Sequence, residues 1–238
     1  MNLIILDAGD SDAVLRRTDP RAEHILHVLK RSPGDVFDVG LVDGRVGKAR
    51  FVEAVDAEIR LHVEWTGVAP DLHPLTAIIG MPRPQTARRL LRELTSLGVA
   101  RLVFCDTDRS EPGYRDSKLW TTNEYHRHLI SGAEQAFNPR LPDLVIVPDL
   151  ATAIGFVEPA SDRIGLDNYE SPVSLTLWAP ASGRVAIALG AERGWSAGER
   201  DALRRNEFNL FHMGDRVLRL ETAAVAGVTI VLSKLGRF

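Results

Sequence analysis

Val185-Ala186-Ile187-Ala188-Leu189-Gly190-Ala191-Glu192-Arg193-Gly194-Trp195-Ser196-Ala197-Gly198-Glu199 decides how the fold is read. Its first five residues form an apolar run that reads as a strand. Gly190 and Gly194 bracket a short polar loop, and glycine allows dihedrals and close approaches that other residues do not. Ser196 and Glu199 stand at the spacing of a helix capping box. The unit therefore reads strand, glycine-flanked loop, helix. In an open α/β sheet, ligands settle in the crevice beyond the carboxyl ends of the strands. A plain strand-to-helix connection fits equally well, because a two-glycine loop alone is a weak motif.

Around this stretch, strands and helices alternate. Leu75 to Gly80 reads as a strand and Arg101 to Cys105 as a second. Between them, Thr86 to Leu97 reads as a helix burying Leu90, Leu91, Leu94 and Leu97 and closed by Gly98. Asp106 to Lys118 is polar and reads as loop. Thr121 to Phe137 reads as a helix, with Thr121 and Glu124 as its capping box. Leu144 to Val147 and Arg163 to Leu166 read as strands on either side of a helix over Leu150 to Val157. After the opening stretch come a helix to Arg205, a strand over Phe208 to Phe211 and a final helix over Leu218 to Leu235. This alternation predicts a mostly parallel sheet with helices on both faces.

Upstream the pattern changes. Leu3 to Leu6, Val36 to Val39, Gly47 to Val55 and Ile59 to Trp65 read as strands, and Asp43-Gly44 is a hairpin signal between the middle two. One helix, Pro20 to Lys30, interrupts them. It carries His24 and His27 three residues apart, either a ligand or RNA-contacting pair or a surface pair beside Arg21 and Lys30. Gly67 to Pro74 reads as a linker. The expected organisation is a small strand-rich barrel over residues 1–70, followed by an α/β domain over residues 75–238.

A net charge of -3 argues against indiscriminate polyanion binding, yet leaves room for a local basic face. Cys105 is the single cysteine, so an internal disulfide and a cysteine-built zinc cluster are excluded. Met1 to Asp7 lacks the basic flank and apolar length of a leader, and no segment has the length of a membrane span. A cytoplasmic protein without membrane or metal is expected. No Walker-type loop, nucleophile elbow or carboxylate dyad stands out. Two glycine-containing stretches remain, the opening loop and His212-Met213-Gly214-Asp215-Arg216-Val217-Leu218-Arg219-Leu220-Glu221-Thr222-Ala223. Both follow predicted strands, so both belong at one edge of the sheet. Glu221 near a helix start is also ordinary dipole complementarity. The run Ala223-Ala224-Val225-Ala226-Gly227 permits close backbone approach, inside the fold or at a subunit interface.

Leu189 to Ser196, paired with Met213 to Ala223, resembles the double signature of the RsmE family. These are SPOUT-class methyltransferases acting on N3 of a uridine in small-subunit ribosomal RNA. The resemblance runs through the whole chain. His24 to Lys30 resembles the family's His-x-x-x-Val-Leu-basic element, and Thr95 to Gly98 its Glu-Leu-Gly helix end, with Ser96 in the place of glutamate. Arg109-Ser110 and Glu134-Gln135 resemble two further family motifs. The resemblance implies a PUA-like β-barrel, then an α/β SPOUT domain with a C-terminal trefoil knot that also supports a homodimer. It implies S-adenosylmethionine held by Leu189, Gly190, Glu192 and Gly194 from one loop. From the other loop it implies Met213, Gly214, Val217, Leu218 and Arg219, with Leu166 closing the adenine side. Arg219 is then expected to stabilise charge developing on a uracil oxygen, and Glu221 to act as general base or to orient Arg219. Contact with the RNA is expected from Arg16, Arg17, Arg21, Lys30, Arg88, Arg109 and Arg140, placing phosphates rather than reading bases. The loop departs from the family's Gly-Pro-Glu-Gly-Gly at Ala191 and Arg193, so Arg193 either points to RNA or narrows the site. The alternatives are another RNA or base, or a non-catalytic RNA-binding or ribosome-assembly module.

Overall fold

Residues 3–7 and 12–238 are described by the computed structural model; Met1 and Asn2, part of the leader reading above, lie outside them. The chain divides into two units, Met1–Asp71 with Ala133–Leu141, and Leu72–Gly132 with Pro142–Phe238.

Alternation of apolar and polar residues builds the first unit. Its elements are β1 (Ile4–Leu6), β2 (Val14–Arg16), α1 (Pro20–Glu23), β3 (Val36–Leu41), β4 (Arg45–Val55) and β5 (Glu58–Val68). They form a five-stranded sheet in the order β1-β3-β4-β5-β2. β1 runs parallel to β3, and every other pairing is antiparallel. The sheet curls around Leu6, Leu15, Ile25, Phe37, Val39, Phe51, Ile59 and Leu61. Each such side chain contributes about 1.5–3 kcal/mol on burial. Asp19 starts α1 by accepting from the Arg21 amide at 2.8 Å, and Pro20 occupies the first helical position. The expected helix to Lys30 changes character at His24–Val28, a π-helical turn, and Lys30 lies outside it at φ +52°. At the predicted hairpin, Gly44 adopts φ +101°. The segment 133–141 belongs here because Arg140 donates to the carbonyls of Asp43 (3.2 Å) and Ala69 (3.4 Å), and Asn138 to that of Pro70 (3.0 Å).

The second unit is the alternating one. It comprises β6 (His73–Gly80), α2 (Pro84–Ser96), β7 (Val99–Cys105), α3 (Lys118–Thr121), α4 (Glu124–Ala136, its last turn in the first unit) and β8 (Asp143–Val147). It continues with α5 (Leu150–Ile154), β9 (Asp162–Leu166), β10 (Val173–Ser174), β11 (Val185–Leu189), α6 (Ala197–Arg205), β12 (Asn209–His212) and α7 (Leu220–Lys234). The sheet order is β10-β12-β9-β11-β6-β7-β8, and all its pairings are parallel. β11 lies between β9 and β6 and is buried at all five residues, as a strand covered on both faces should be. The Ser196–Glu199 capping box forms in full at the start of α6. The small residues of α7 also find their reason. A Cβ on Gly227 would lie 2.8 Å from Leu166 Cδ1 and 3.2 Å from Ile187 Cδ1, so the helix lies flush on the sheet.

Three local expectations are corrected. β5 runs on to Val68 and β6 starts at His73, so the linker shrinks to residues 69–72. The Thr121 hydroxyl donates to the Ser117 carbonyl at 3.1 Å, closing a short helix, α3, that starts at the last residue of the expected loop, instead of capping α4. α4 therefore starts at Glu124, after Asn123 at φ +57°.

Candidate functional site

The carboxyl ends of β9, β11 and β12 meet at one edge of the second sheet, and a cleft opens there. It is lined by Leu166, Asp167 and Asn168 after β9, by Phe211 to Gly214 and Arg216 to Leu218 around the end of β12, and by Ala223 of α7. Its cavity volume is about 90 Å³, smaller than the usual span of ligand clefts (~300–1,000 Å³). Gly214 turns the chain at φ +99°, and its amide is 3.1 Å from His212 Nδ1. Among the described residues, no protein group accepts from the amides of Asp215 to Leu218. Val217 is 78 % exposed at the lip.

Five of the predicted cofactor residues, Leu166, Met213, Gly214, Val217 and Leu218, line this cleft. Leu189 is buried beside Leu166 in the register of β11 and β9. Gly190 and Gly194 shape the neighbouring loop. A Cβ on Gly190 would lie 2.7 Å from the Gly194 carbonyl carbon and 2.9 Å from Trp195 N, and Gly194 sits at φ +68°. Gly80 gives this loop its floor, since a Cβ there would reach 2.5 Å from Ala191 N. Glu192 turns toward α2, where its carboxylate accepts from the Arg83 amide at 3.1 Å. Arg193 neither enters the cleft nor narrows it. Its guanidinium pairs with Glu111, and its carbonyl accepts from Arg109 at 2.8 Å.

Sequence reasoning missed the most buried polar assembly here. Asp167 and Arg200 form an ion pair at 2.7 Å with side chains only 2 % and 6 % exposed. The other Asp167 oxygen accepts from the amides of Tyr169 (2.8 Å) and Glu170 (2.7 Å). Arg200 also reaches Glu170 at 3.2 Å and lies over the Tyr169 ring. Trp195 is fully buried and donates to the Leu166 carbonyl at 3.2 Å. A carboxylate directly after an apolar strand, at Asp167, was the signal available in the sequence.

Arg219 is the N-cap residue of α7, exposed, and without an ion pair among the described residues. Glu221 is mostly enclosed and pairs with Arg89 of α2 at 3.1 Å. Of the expected RNA contacts, Arg16, Arg17 and Lys30 are exposed cations of the first unit. Arg21 is engaged by Asp7 and Asp19. Arg140 is engaged by the Asp43 and Ala69 carbonyls and by Asp71. Arg88 binds Glu124 at 2.8 Å, and Arg109 is spent on the Arg193 carbonyl. Arg88, His128 and Arg127 hold the Glu124 carboxyl down to about 2. Burial lowers His128, and burial raises the Cys105 thiol far above its ordinary range, so that cysteine is an inert core residue.

An all-parallel sheet with a cleft at its carboxyl edge places this chain among α/β proteins, whose ligands settle at that edge. A family model for an RNA methyltransferase domain matches residues 70–232. Ribosomal RNA small subunit methyltransferase E of Treponema pallidum is 33 % identical over 98 % of this chain and 91 % of its own. Ribosomal RNA small subunit methyltransferase E 1 of Borreliella burgdorferi is 27 % identical over 99 % of both chains. A solved Neisseria gonorrhoeae ribosomal RNA small subunit methyltransferase E, bound to S-adenosyl methionine, superposes with a TM-score of 0.82. It is 18 % identical and covers 98 % of this chain and 97 % of its own. The class is thus that of RNA methyltransferases. Within that class, the chain belongs to the ribosomal RNA small subunit methyltransferase E family.

Proposed function

We propose that the chain transfers the methyl group of S-adenosylmethionine to N3 of a uridine in small-subunit ribosomal RNA. One observation carries this reading: five of the residues expected to hold the cofactor line one cleft at the sheet edge. The chemistry of the lining suits such a ligand. Leu166, Val217 and Leu218 offer apolar surface to a purine ring, and the unpaired amides of Asp215 to Leu218 offer donors to its edge. Leu189, Gly190 and Gly194 support that wall, and Glu192 anchors its loop to α2. Bound S-adenosylmethionine supplies an electrophilic sulfonium methyl group.

The chain's own residues do the rest. Uridine N3 carries a weakly acidic proton, which passes to solvent before N3 attacks, so the resulting uracil anion needs to be stabilised. Arg219 is the exposed cation beside Val217 and Leu218, and it stabilises that charge on a uracil oxygen. Glu221 is held by Arg89, which favours a role in fixing the start of α7 and thereby Arg219 over a role as base. The seating of α7 on Leu166 and Ile187, and the insertion of β11 between β9 and β6, support a knotted SPOUT domain; its pairing as a homodimer rests on the family resemblance. The curled first unit acts as a PUA-like RNA-binding domain. It presents Arg16, Arg17 and Lys30 to phosphates, while Arg21, Arg88, Arg109 and Arg140 mainly brace the fold. The enzyme works in the cytoplasm; no helix among the described residues is long and apolar enough to cross a membrane.

Arg219→Ala tests the assignment. Methyl transfer to small-subunit RNA is lost, while calorimetric affinity for S-adenosylmethionine stays nearly intact. Equal loss of both removes Arg219 from the chemistry.

A further inference from the structure

A buried ion pair is costly to build, because both charges leave water. Asp167 and Arg200 are such a pair, and their surroundings show what they hold in place. Asp167 anchors two successive amides, those of Tyr169 and Glu170. Arg200 places its guanidinium 5.3 Å from the Tyr169 ring centroid and binds Glu170. Glu170 in turn is held by Arg204 at 2.6 Å. All this order converges on one aromatic side chain that is 67 % exposed. Tyr169 directly follows Asp167 and Asn168, which line the cleft, and its ring edge lies 3.9 Å from where a Cβ on Gly194 would stand. Arg200 lies over the ring, and the residue is still largely exposed. Val217, at the lip of the same cleft, is a further exposed apolar side chain.

We propose that Tyr169 is a stacking platform for an unpaired nucleobase of the RNA substrate, the target base or its neighbour, held rigid by the Asp167–Arg200 pair. The proposal rests on the methyltransferase reading above. A base that reacts at an edge normally used in pairing must leave its helix. Single-stranded bases are commonly received on aromatic rings, whose faces accept any base. A ring already immobilised loses little freedom when the base arrives, which favours affinity.

The test is RNA binding measured apart from catalysis. A short single-stranded RNA carrying 2-aminopurine beside the target uridine is titrated with the wild-type chain, Tyr169→Ala, Tyr169→Phe and Tyr169→Trp, and S-adenosylmethionine affinity is measured in parallel. Loss of one stacked base predicts a ~5- to 150-fold weaker RNA Kd for Tyr169→Ala. Phe and Trp should restore both affinity and 2-aminopurine quenching, and the affinity for S-adenosylmethionine should stay within about twofold. Unchanged RNA affinity in Tyr169→Ala overturns the platform. Failure of both Phe and Trp to restore it also does, because a hydroxyl contact is then responsible. A parallel loss of cofactor affinity makes Tyr169 a structural support of the cleft and overturns the proposal as well. A wild-type chain that binds this RNA with Tyr169-dependent quenching but methylates nothing refutes the methyl-transfer reading and leaves the platform standing.

Discussion

Asp167→Asn isolates the buried ion pair, because the amide oxygen still accepts from the Tyr169 and Glu170 amides while the charge facing Arg200 is gone. Removing one member of a buried pair costs about 3–5 kcal/mol, mostly from the charge left without its partner. Glu170 remains 3.2 Å from Arg200 and is 42 % exposed, so it compensates only in part. The lower end, about 3 kcal/mol, is the expected cost. For a domain of roughly 150–250 residues this lowers the melting temperature by roughly 6–12 °C. Trp195 is a local reporter, fully buried and bonded to the carbonyl of Leu166 immediately before Asp167. Thermal unfolding followed by tryptophan fluorescence is therefore the assay. Arg200→Met should cost less, because Asp167 keeps both of its amide donors. An Asp167→Asn protein melting within about 2 °C of wild type, less than 1 kcal/mol, would refute the view that this pair organises the cleft wall.

Gly190→Ala drives a Cβ into the Gly194–Trp195 backbone at 2.7–2.9 Å; with overpacking at ~1–3 kcal/mol, calorimetry should show S-adenosylmethionine affinity reduced roughly tenfold. Arg193→Ala removes only an exposed pair with Glu111, worth about 0–1 kcal/mol, so cofactor affinity and melting temperature should hardly move. Acid should destabilise the second unit in two stages. His128 is held below its ordinary value, so the unfolded chain takes up its proton first and stability falls as pH drops below about 6.5. Glu124 is held near 2, so its contribution is complete above about 4.5 and is lost as pH falls toward 2. In urea titrations across pH, Glu124→Gln should flatten the lower stage and His128→Gln the upper one; an unchanged profile contradicts both assignments.

The second unit was legible where local chemistry and burial point the same way. Val185 to Leu189 is apolar throughout because β11 is covered on both faces, and Ser196 with Glu199 announces α6 by direct hydrogen bonding. Thr121 and Glu124 have the same spacing, yet long-range partners decide otherwise. Glu124 is claimed by Arg88 and His128, and Thr121 closes a short helix. The return of residues 133–141 to the first unit rests on Arg140 and Asn138 reaching carbonyls far away in sequence, which no local pattern records. At the site, the stretch from Met213 to Ala223 falls on the cleft, whereas Leu189 to Gly194 lies beside it and contributes no lining residue. Asp167, Arg200 and Tyr169 escaped notice because their partnership spans more than thirty residues and has no periodicity. The same holds for Arg193, whose direction is set by Glu111 and Arg109.

The central claim is most directly tested by incubating the purified chain with S-adenosylmethionine and unmodified small-subunit ribosomal RNA, free and within assembled subunits, and mapping the product by mass spectrometry of nucleosides and fragments. A single new 3-methyluridine that vanishes in Arg219→Ala is expected. A methyl group on another base or on a ribose, or no methyl transfer with either RNA, would contradict it.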